Sequence, residues 1–337
     1  MNSILITGGA GFIGANFIKH LLDTNSDTQV INLDLLTYAG DIKNTDSFSN
    51  NEHYVFVEGD IRDREQVEKI FSDFNIQGVI HFAAESHVDN SITGPETFIT
   101  TNVNGTFVLL DVARNAWMKG PFEPKEGKQN NRFLHISTDE VYGSLGAEGL
   151  FTEKTPYAPN SPYSASKAAS DFIVRSYHHT YGMNVVTTNC SNNYGPLQHD
   201  EKLIPTIIRN AIKGNDIPIY GDGKNVRDWL FVTDHCKGIW TAFEKGKSGE
   251  TYNIGGLNER TNIYIAEKIC SLLDTLHPRG DSKSYKEQIS FVKDRPGHDK
   301  RYAIDACKIN SELGWIADEN FESGIEKTVK YYISKYA

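Results

Sequence analysis

The chain has 337 residues, 39% hydrophobic and 23% charged, the composition of an ordinary globular protein and neither a disordered nor a fibrous one. A formal net charge of −10 without any run of Lys or Arg argues against a nucleic-acid partner, which calls for a basic patch, and no apolar run reaches bilayer length. Cys190, Cys236, Cys270 and Cys307 are too scattered for a zinc site or a disulfide framework; with no charged-then-apolar leader, a cytoplasmic protein without metal, membrane or nucleic-acid partner is expected.

Ser3 to Thr7 reads as a short buried strand, followed at once by Gly8-Gly-Ala-Gly11-Phe-Ile-Gly14 and an amphipathic helix from Phe12 to about Leu22. Strand, glycine turn and helix form the context of a dinucleotide fingerprint. Gly8 permits the tight turn, Gly11 lets backbone approach a pyrophosphate, and Gly14 lets helix pack on strand. The helix N-terminus then offers its N–H groups to phosphates. A second strand, Gln29 to Leu33, ends in Asp34, twenty residues after Gly14. An acid there accepts the adenosine ribose hydroxyl and favours NAD over NADP, because a 2′-phosphate would meet a negative charge; a helix-capping Asp is the alternative.

Tyr54 to Val57 is a third strand, running into Gly59-Asp60-Ile61, and a helix follows from about Asp63 to Phe74. Gly78 to Phe82 is a fourth strand, and it exits into Ala83-Ala-Glu-Ser-His-Val-Asp89, where small residues let backbone approach a flat cofactor. Pro95 to about Met118 reads as one long helix and Lys119 to Asn131 as a polar loop. Phe133 to Ile136 then delivers Thr138, Asp139 and Glu140 to a strand's C-terminal end, where open α/β sheets place their chemistry.

Pro162 to about Tyr181 is a helix with Tyr163 and Lys167 on one face. A cation beside a phenol stabilises the phenolate, so the Tyr163 pKa is expected to fall; adjacent carboxylates supply an acid and a base of different strengths. Asn184 to Asn189 is the next strand and ends at Cys190-Ser-Asn-Asn-Tyr-Gly-Pro196. This alternation predicts an α/β fold, a doubly wound parallel Rossmann-type sheet over residues 1–190 with a chain return near 226–254. Pro196, Pro205, Pro218, Gly221-Asp-Gly223 and Gly255-Gly256 then weaken the pattern, so 191–225 and 255–337 are expected to form a smaller, irregular α/β substrate-binding lobe. Arg227, Arg295, His298 and Arg301 are candidates to clamp a diphosphate, since Arg binds phosphate in a forked geometry; solvated loop charges are the alternative.

The glycine turn with Tyr163-x-x-x-Lys167 resembles the extended short-chain dehydrogenase/reductase superfamily, whose members modify nucleotide sugars. Thr138-Asp139-Glu140 narrows the resemblance, because the 4-epimerases of that superfamily lack the Asp-Glu pair and the 4,6-dehydratases have it. A silent dinucleotide-sensing module would have lost Tyr163 or Lys167. Ala83 to Asp89, Ser191 to Pro196, Glu201 to Pro205 and Asp294 to His298 are similar to the dTDP-glucose 4,6-dehydratases, over nearly the whole chain. The resemblance implies a tightly bound NAD, regenerated each turnover. Besides the three glycines, it would touch Phe12, Ile13, Asp34, Leu35, Leu36, Thr37, Asp60, Ile61, Phe82, Ala83, Ala84, Thr101, Tyr163, Lys167 and Asn193. It also implies a dTDP-glucose substrate held by Ser86, Thr138, Asn192, Lys202, Leu203, Pro218, Tyr220, Arg227, Asn262, Arg295 and His298. Leu35-Leu36, where a Lys is common, and Leu197-Gln-His-Asp200 depart from the family pattern.

By the same resemblance Tyr163 is the base at the glucose 4-hydroxyl and Lys167 its supporting cation, with Thr138 on the C4 oxygen. Glu140 removes the C5 proton, and Asp139, its pKa raised beside Glu140, protonates the leaving 6-hydroxyl. A 4-keto-6-deoxy sugar for deoxysugar biosynthesis, such as that of L-rhamnose in cell-surface polysaccharide, is the implied product. A homodimer is implied through a four-helix interface of Pro95–Met118 and Pro162–Tyr181.

Overall fold

The computed structural model describes residues 2–294 and 298–337. Its central sheet is built from β1 (Asn2–Thr7), β2 (Thr28–Asp34), β3 (Tyr54–Glu58), β4 (Gly78–His81), β5 (Arg132–Thr138), β6 (Val185–Cys190) and β7 (Thr251–Ile254). The strands lie in the order β7-β6-β5-β4-β1-β2-β3, and every neighbouring pair is parallel. A parallel sheet is covered on both faces, so its strands read as near-continuous apolar runs. In β1, Ile4 and Ile6 enter one apolar cluster and Leu5 the other, the alternation that a strand imposes.

The covering helices are α1 (Phe12–Thr24), α2 (Arg64–Phe74), α3 (Thr106–Trp117), α4 (Pro162–Tyr181) and α5 (Val232–Lys245). Residues of α1 and α5 pack in the first cluster; those of α2, α3 and α4 pack in the second, on the opposite face. This is the Rossmann-type arrangement expected. Helix limits follow local chemistry. Asp63 caps α2 by accepting from the Gln66 N–H. Ser161 and Ser164 form a reciprocal capping box at α4, with Pro162 at its first position and Gly182 closing it at φ 69°.

Pro95 to Trp117 is helical throughout but is not the single α-helix expected. One turn, Pro95–Phe98, passes into a π-helix, Ile99–Gly105, before α3 begins. Asn102, in this wide segment, takes the Glu85 N–H on Oδ1 (2.8 Å) and donates from Nδ2 to the Glu85 carbonyl (3.0 Å) and to Ser166 Oγ (2.8 Å). Its carbonyl accepts the Thr106 and Ser170 hydroxyls at 2.6 and 2.7 Å. The loop after β4 is thereby joined to α4, and such π segments gather at functional sites. Apolar spacing, which reads only the buried stripe, does not register the extra residue. Residues 119–131 likewise are not loop throughout, since Met118–Gly120 pairs antiparallel with Glu123–Pro124.

Val226–Phe231 lies outside the main sheet, pairing with Asn192–Tyr194 and Glu259–Thr261. Its Trp229 and Phe231 join a third apolar cluster with the helices Leu203–Ile212, Asn262–Leu276 and Phe321–Tyr336. The chain re-enters the main sheet through α5 and β7. Among the described residues no helix is long and apolar enough to cross a membrane.

Candidate active site

A cleft of about 410 Å³ opens at the C-terminal ends of β1, β2, β4, β5 and β6, within the range of small-molecule pockets. The strand order turns back between β1 and β4, the switch point where such sheets bind ligands. The turn after β1 forms its floor. Gly8 has φ +74°, and a Cβ there would lie 2.7 Å from the Ala83 nitrogen. A Cβ on Gly14 would lie 2.3 Å from the Gly8 carbonyl oxygen, whereas one on Gly11 would meet only that oxygen, at 3.3 Å. The first and third glycines are thus compelled by backbone contact, and the second leaves room above the N-terminus of α1. No side chain caps that end, so the cradle fits a pyrophosphate.

Asp34 ends β2 at the cleft wall, its carboxylate held by the Ala10 N–H at 2.9 Å and the Leu36 N–H at 2.8 Å. Burial raises its pKa against the pull of those two donors, and a carboxylate so held keeps lone pairs for a ribose hydroxyl. Every expected cofactor residue lines the cleft except Leu36; at φ 54° it meets Asp34 through its backbone instead.

At the reactive end, Thr138, Asp139 and Glu140 leave β5, and Thr138 Oγ1 accepts the Glu140 N–H (3.3 Å), starting the short 3-10 turn Asp139–Tyr142. Asp139 is 2% exposed, and among the described residues its Oδ2 has no hydrogen-bond partner. Burial first, then the charges of Glu140 and Asp228, lift its pKa well above the carboxylate range, with Arg227 opposing. Burial thus disfavours ionisation of this carboxyl, the direction that an acid beside Glu140 calls for.

Tyr163 and Lys167 enter from α4 and also line the cleft. Here one expectation is corrected. Burial and then Glu140 push the Tyr163 phenol well above its ordinary pKa, and the hydrogen bond with Thr138 only opposes this. The physical reason is burial, which disfavours the charged phenolate and is not offset by Lys167. Its Nζ donates to the Ile136 carbonyl at 2.7 Å, and burial brings its own pKa down to about 8, with Asp171 pulling it back up. A lowered Tyr163 pKa therefore requires further positive charge in the cleft.

Of the substrate candidates, Ser86, Thr138, Asn192 and Lys202 line the cleft, with Lys202 Nζ donating to the Ser86 carbonyl at 3.1 Å. Leu203, Pro218, Tyr220, Arg227, Asn262 and His298 lie outside its lining. Arg227 sits over the Tyr302 ring at 4.2 Å and donates to the Asp299 carbonyl. Tyr220 is exposed and meets His298 edge to face at 6.2 Å, and Asn262 opens its helix. Arg301 pairs with Glu259 at 2.6 Å. Arg295 lies outside the described residues.

Sequence reasoning missed Arg62, Glu85, Ser137, Cys190, Gln198 and Glu201, which also line the cleft. Cys190 was legible in principle, because Thr138 and Cys190 are register partners at the ends of adjacent parallel strands, but only once strand order is known.

Fold, glycine cradle and Tyr–Lys pair define a short-chain-type dehydrogenase scaffold, here with two adjacent carboxyl groups, Asp139 and Glu140, at the end of β5. A family model described as GDP-mannose 4,6 dehydratase matches residues 5–328, and the chain belongs to that family, within the extended short-chain dehydrogenase/reductases. It is 55% identical to a dTDP-glucose 4,6-dehydratase of Xanthomonas campestris pv. campestris (strain B100), covering 99% of this chain and 94% of that one. A solved dTDP-glucose 4,6-dehydratase, DesIV from Streptomyces venezuelae with NAD and TYD bound, superposes with a TM-score of 0.88 at 44% identity, covering 98% of this chain and 97% of that one. A UDP-glucose 4-epimerase from Thermotoga maritima superposes with a TM-score of 0.86 at 27% identity, covering 99% of this chain and all (100%) of that one. Backbone shape alone thus does not separate the two chemistries.

Gly14→Ala places a methyl group against the Gly8 carbonyl. It is expected to weaken NAD binding by at least roughly tenfold, or about 1.4 kcal/mol, in a fluorescence titration of protein shown to be folded by circular dichroism. Unchanged affinity would count against the cradle.

Proposed function

We infer that the chain is a dTDP-glucose 4,6-dehydratase, an NAD-dependent hydro-lyase that converts dTDP-glucose to dTDP-4-keto-6-deoxyglucose and water. The observation that carries this reading is Asp139, buried beside Glu140 with its pKa raised, in the same cleft as Tyr163 and Lys167. An epimerase has no use for an acid–base pair at C5 and C6. Identity above one half to named dehydratases over nearly the full chain supports the same conclusion.

Gly8, Gly11, Gly14 and Asp34 would hold an NAD, which would supply reversible hydride chemistry at the sugar and, in its oxidised form, positive charge beside Tyr163. We assign the remaining steps to the chain's own groups. Tyr163 takes the proton of the 4-hydroxyl, Lys167 supports the phenolate, and Thr138 hydrogen-bonds the C4 oxygen. The resulting 4-keto group acidifies the C5 proton, so oxidation must come first. Glu140 removes that proton and Asp139 gives its own to the departing 6-hydroxyl, releasing water across C5–C6. C5 is then reprotonated as C6 is reduced.

We assign the rest of the nucleotide sugar to the lobe of residues 191–225 and 255–337, where the exposed Tyr220 beside His298 offers a ring to a base. Four unpaired cysteines fit a reducing cytoplasm. We also propose a homodimer through α4 and the Pro95–Trp117 helical segment, because Phe172 is 58% and Phe107 43% exposed there and a second copy would cover them.

Incubated with dTDP-glucose in deuterated water, the protein is expected to yield a 4-keto-6-deoxy product carrying deuterium at C5, with no net NADH. Turnover of UDP- or CDP-glucose but not of dTDP-glucose would replace the substrate. Asp139→Asn is expected to slow elimination by roughly 10²–10⁴ while hydride transfer from C4 continues; equal loss of both steps would remove Asp139 as the acid. Light scattering is expected to give twice the chain mass, falling to one chain mass in Phe172→Asp. A monomeric native protein would sink the dimer.

A further inference from the structure

The face of α4 that presents Tyr163 and Lys167 carries a third polar residue one turn on. Asp171 follows Lys167 by four positions, so the three share a stripe. It is 5% exposed and stands behind the cleft instead of lining it. The steps above do not use it, yet a buried carboxylate is costly unless paired.

Its surroundings are specific. Oδ2 accepts from Ser137 Oγ on β5 at 2.8 Å and from the Tyr157 hydroxyl, just ahead of α4, at 2.9 Å. His135 Nε2, also on β5, is 3.1 Å from Oδ1 but off the line of a hydrogen bond. Burial holds His135 and, behind it on β4, His81 well below the ordinary imidazole pKa, so neither supplies a positive charge. Burial likewise raises the phenols of Tyr142 and Tyr157 and the Cys190 thiol that faces Lys167 from β6, and all three stay neutral near pH 7. Lys167 lies one helical turn from Asp171, and the charge of each favours the charged form of the other.

We propose that Asp171 is a positioning residue for the Tyr163–Lys167 pair, its buried carboxylate keeping Lys167 charged and turned to the Ile136 carbonyl while Ser137 and Tyr157 keep that carboxylate ionised. The role rests on the dehydratase reading, in which Lys167 must be a cation. Burial raises the Asp171 pKa to about 6 and lowers that of Lys167 to about 8. Below the first value Asp171 gains a proton and loses its charge; above the second Lys167 loses its own. Both charges are therefore present together in the window between them.

The test compares pH profiles of kcat for native protein, Asp171→Asn and Tyr157→Phe, with NMR of protein labelled at the lysine ε-carbons. In Asp171→Asn burial acts on Lys167 unopposed, so the alkaline limb is expected to move toward acid by about one pH unit or more, and a lysine resonance titrating near pH 8 moves with it. Tyr157→Phe removes a donor to the carboxylate and is expected to move the acid limb upward, leaving the alkaline limb in place. A uniform fall in kcat with both limbs fixed, or an unmoved lysine resonance, would overturn the role. If Asp171→Asn does not fold, an unmoved acid limb in Tyr157→Phe overturns it. Because the resonance is read without substrate, native protein inactive on dTDP-glucose would defeat the dehydratase reading while the NMR still decides this one.

Discussion

A lysine ammonium that is 4% exposed has lost most of its water, and the chain around it must restore what the water supplied. The Ile136 carbonyl accepts one of its hydrogens, and Asp171 supplies the opposing charge. That need brings β5, which carries the carbonyl, into contact with α4, which carries both charges. The same strand then ends in Thr138, Asp139 and Glu140. The charge requirement of one residue thus couples the two elements that hold the groups assigned above to catalysis.

Burial acts on Lys167, Asp139 and Tyr163 alike, but its sign depends on the charge that the group would carry. It lowers Lys167 and raises Asp139 and Tyr163. For Asp139 the shift suits a proton donor. For Tyr163 it works against a base, and positive charge beyond Lys167 has to restore the phenolate. On the proposed assignment the cleft is suited to elimination by its own carboxyl groups, and to oxidation only when a cationic ring is present.

Backbone constraints keep these groups in register. The glycine turn brings Gly8 against Ala83, and Asn102 in the π-helix ties the loop after β4 to α4 through Glu85 and Ser166. The glycine turn, the loop after β4 and α4 are consequently held against one another.

Much of this was legible in the sequence. The alternating apolar runs predicted the parallel sheet, Gly8, Gly11 and Gly14 the cradle, and Tyr163 with Lys167 their shared helical face, because each is a local pattern whose geometry follows from spacing of 2.0 or 3.6 residues. What the sequence could not show was whatever depends on groups distant in the chain. The π-helix at Ile99–Gly105 is held by Asn102 reaching residues 85 and 166; Cys190 joins the cleft through register with Thr138; Leu36 meets Asp34 by backbone instead of side chain. The Tyr163 pKa direction belongs with these, since a helical neighbour at i+4 guarantees proximity, whereas desolvation and the direction of an ammonium are set by the whole fold. Residue type and spacing named the chemical groups; only tertiary packing decided their charge.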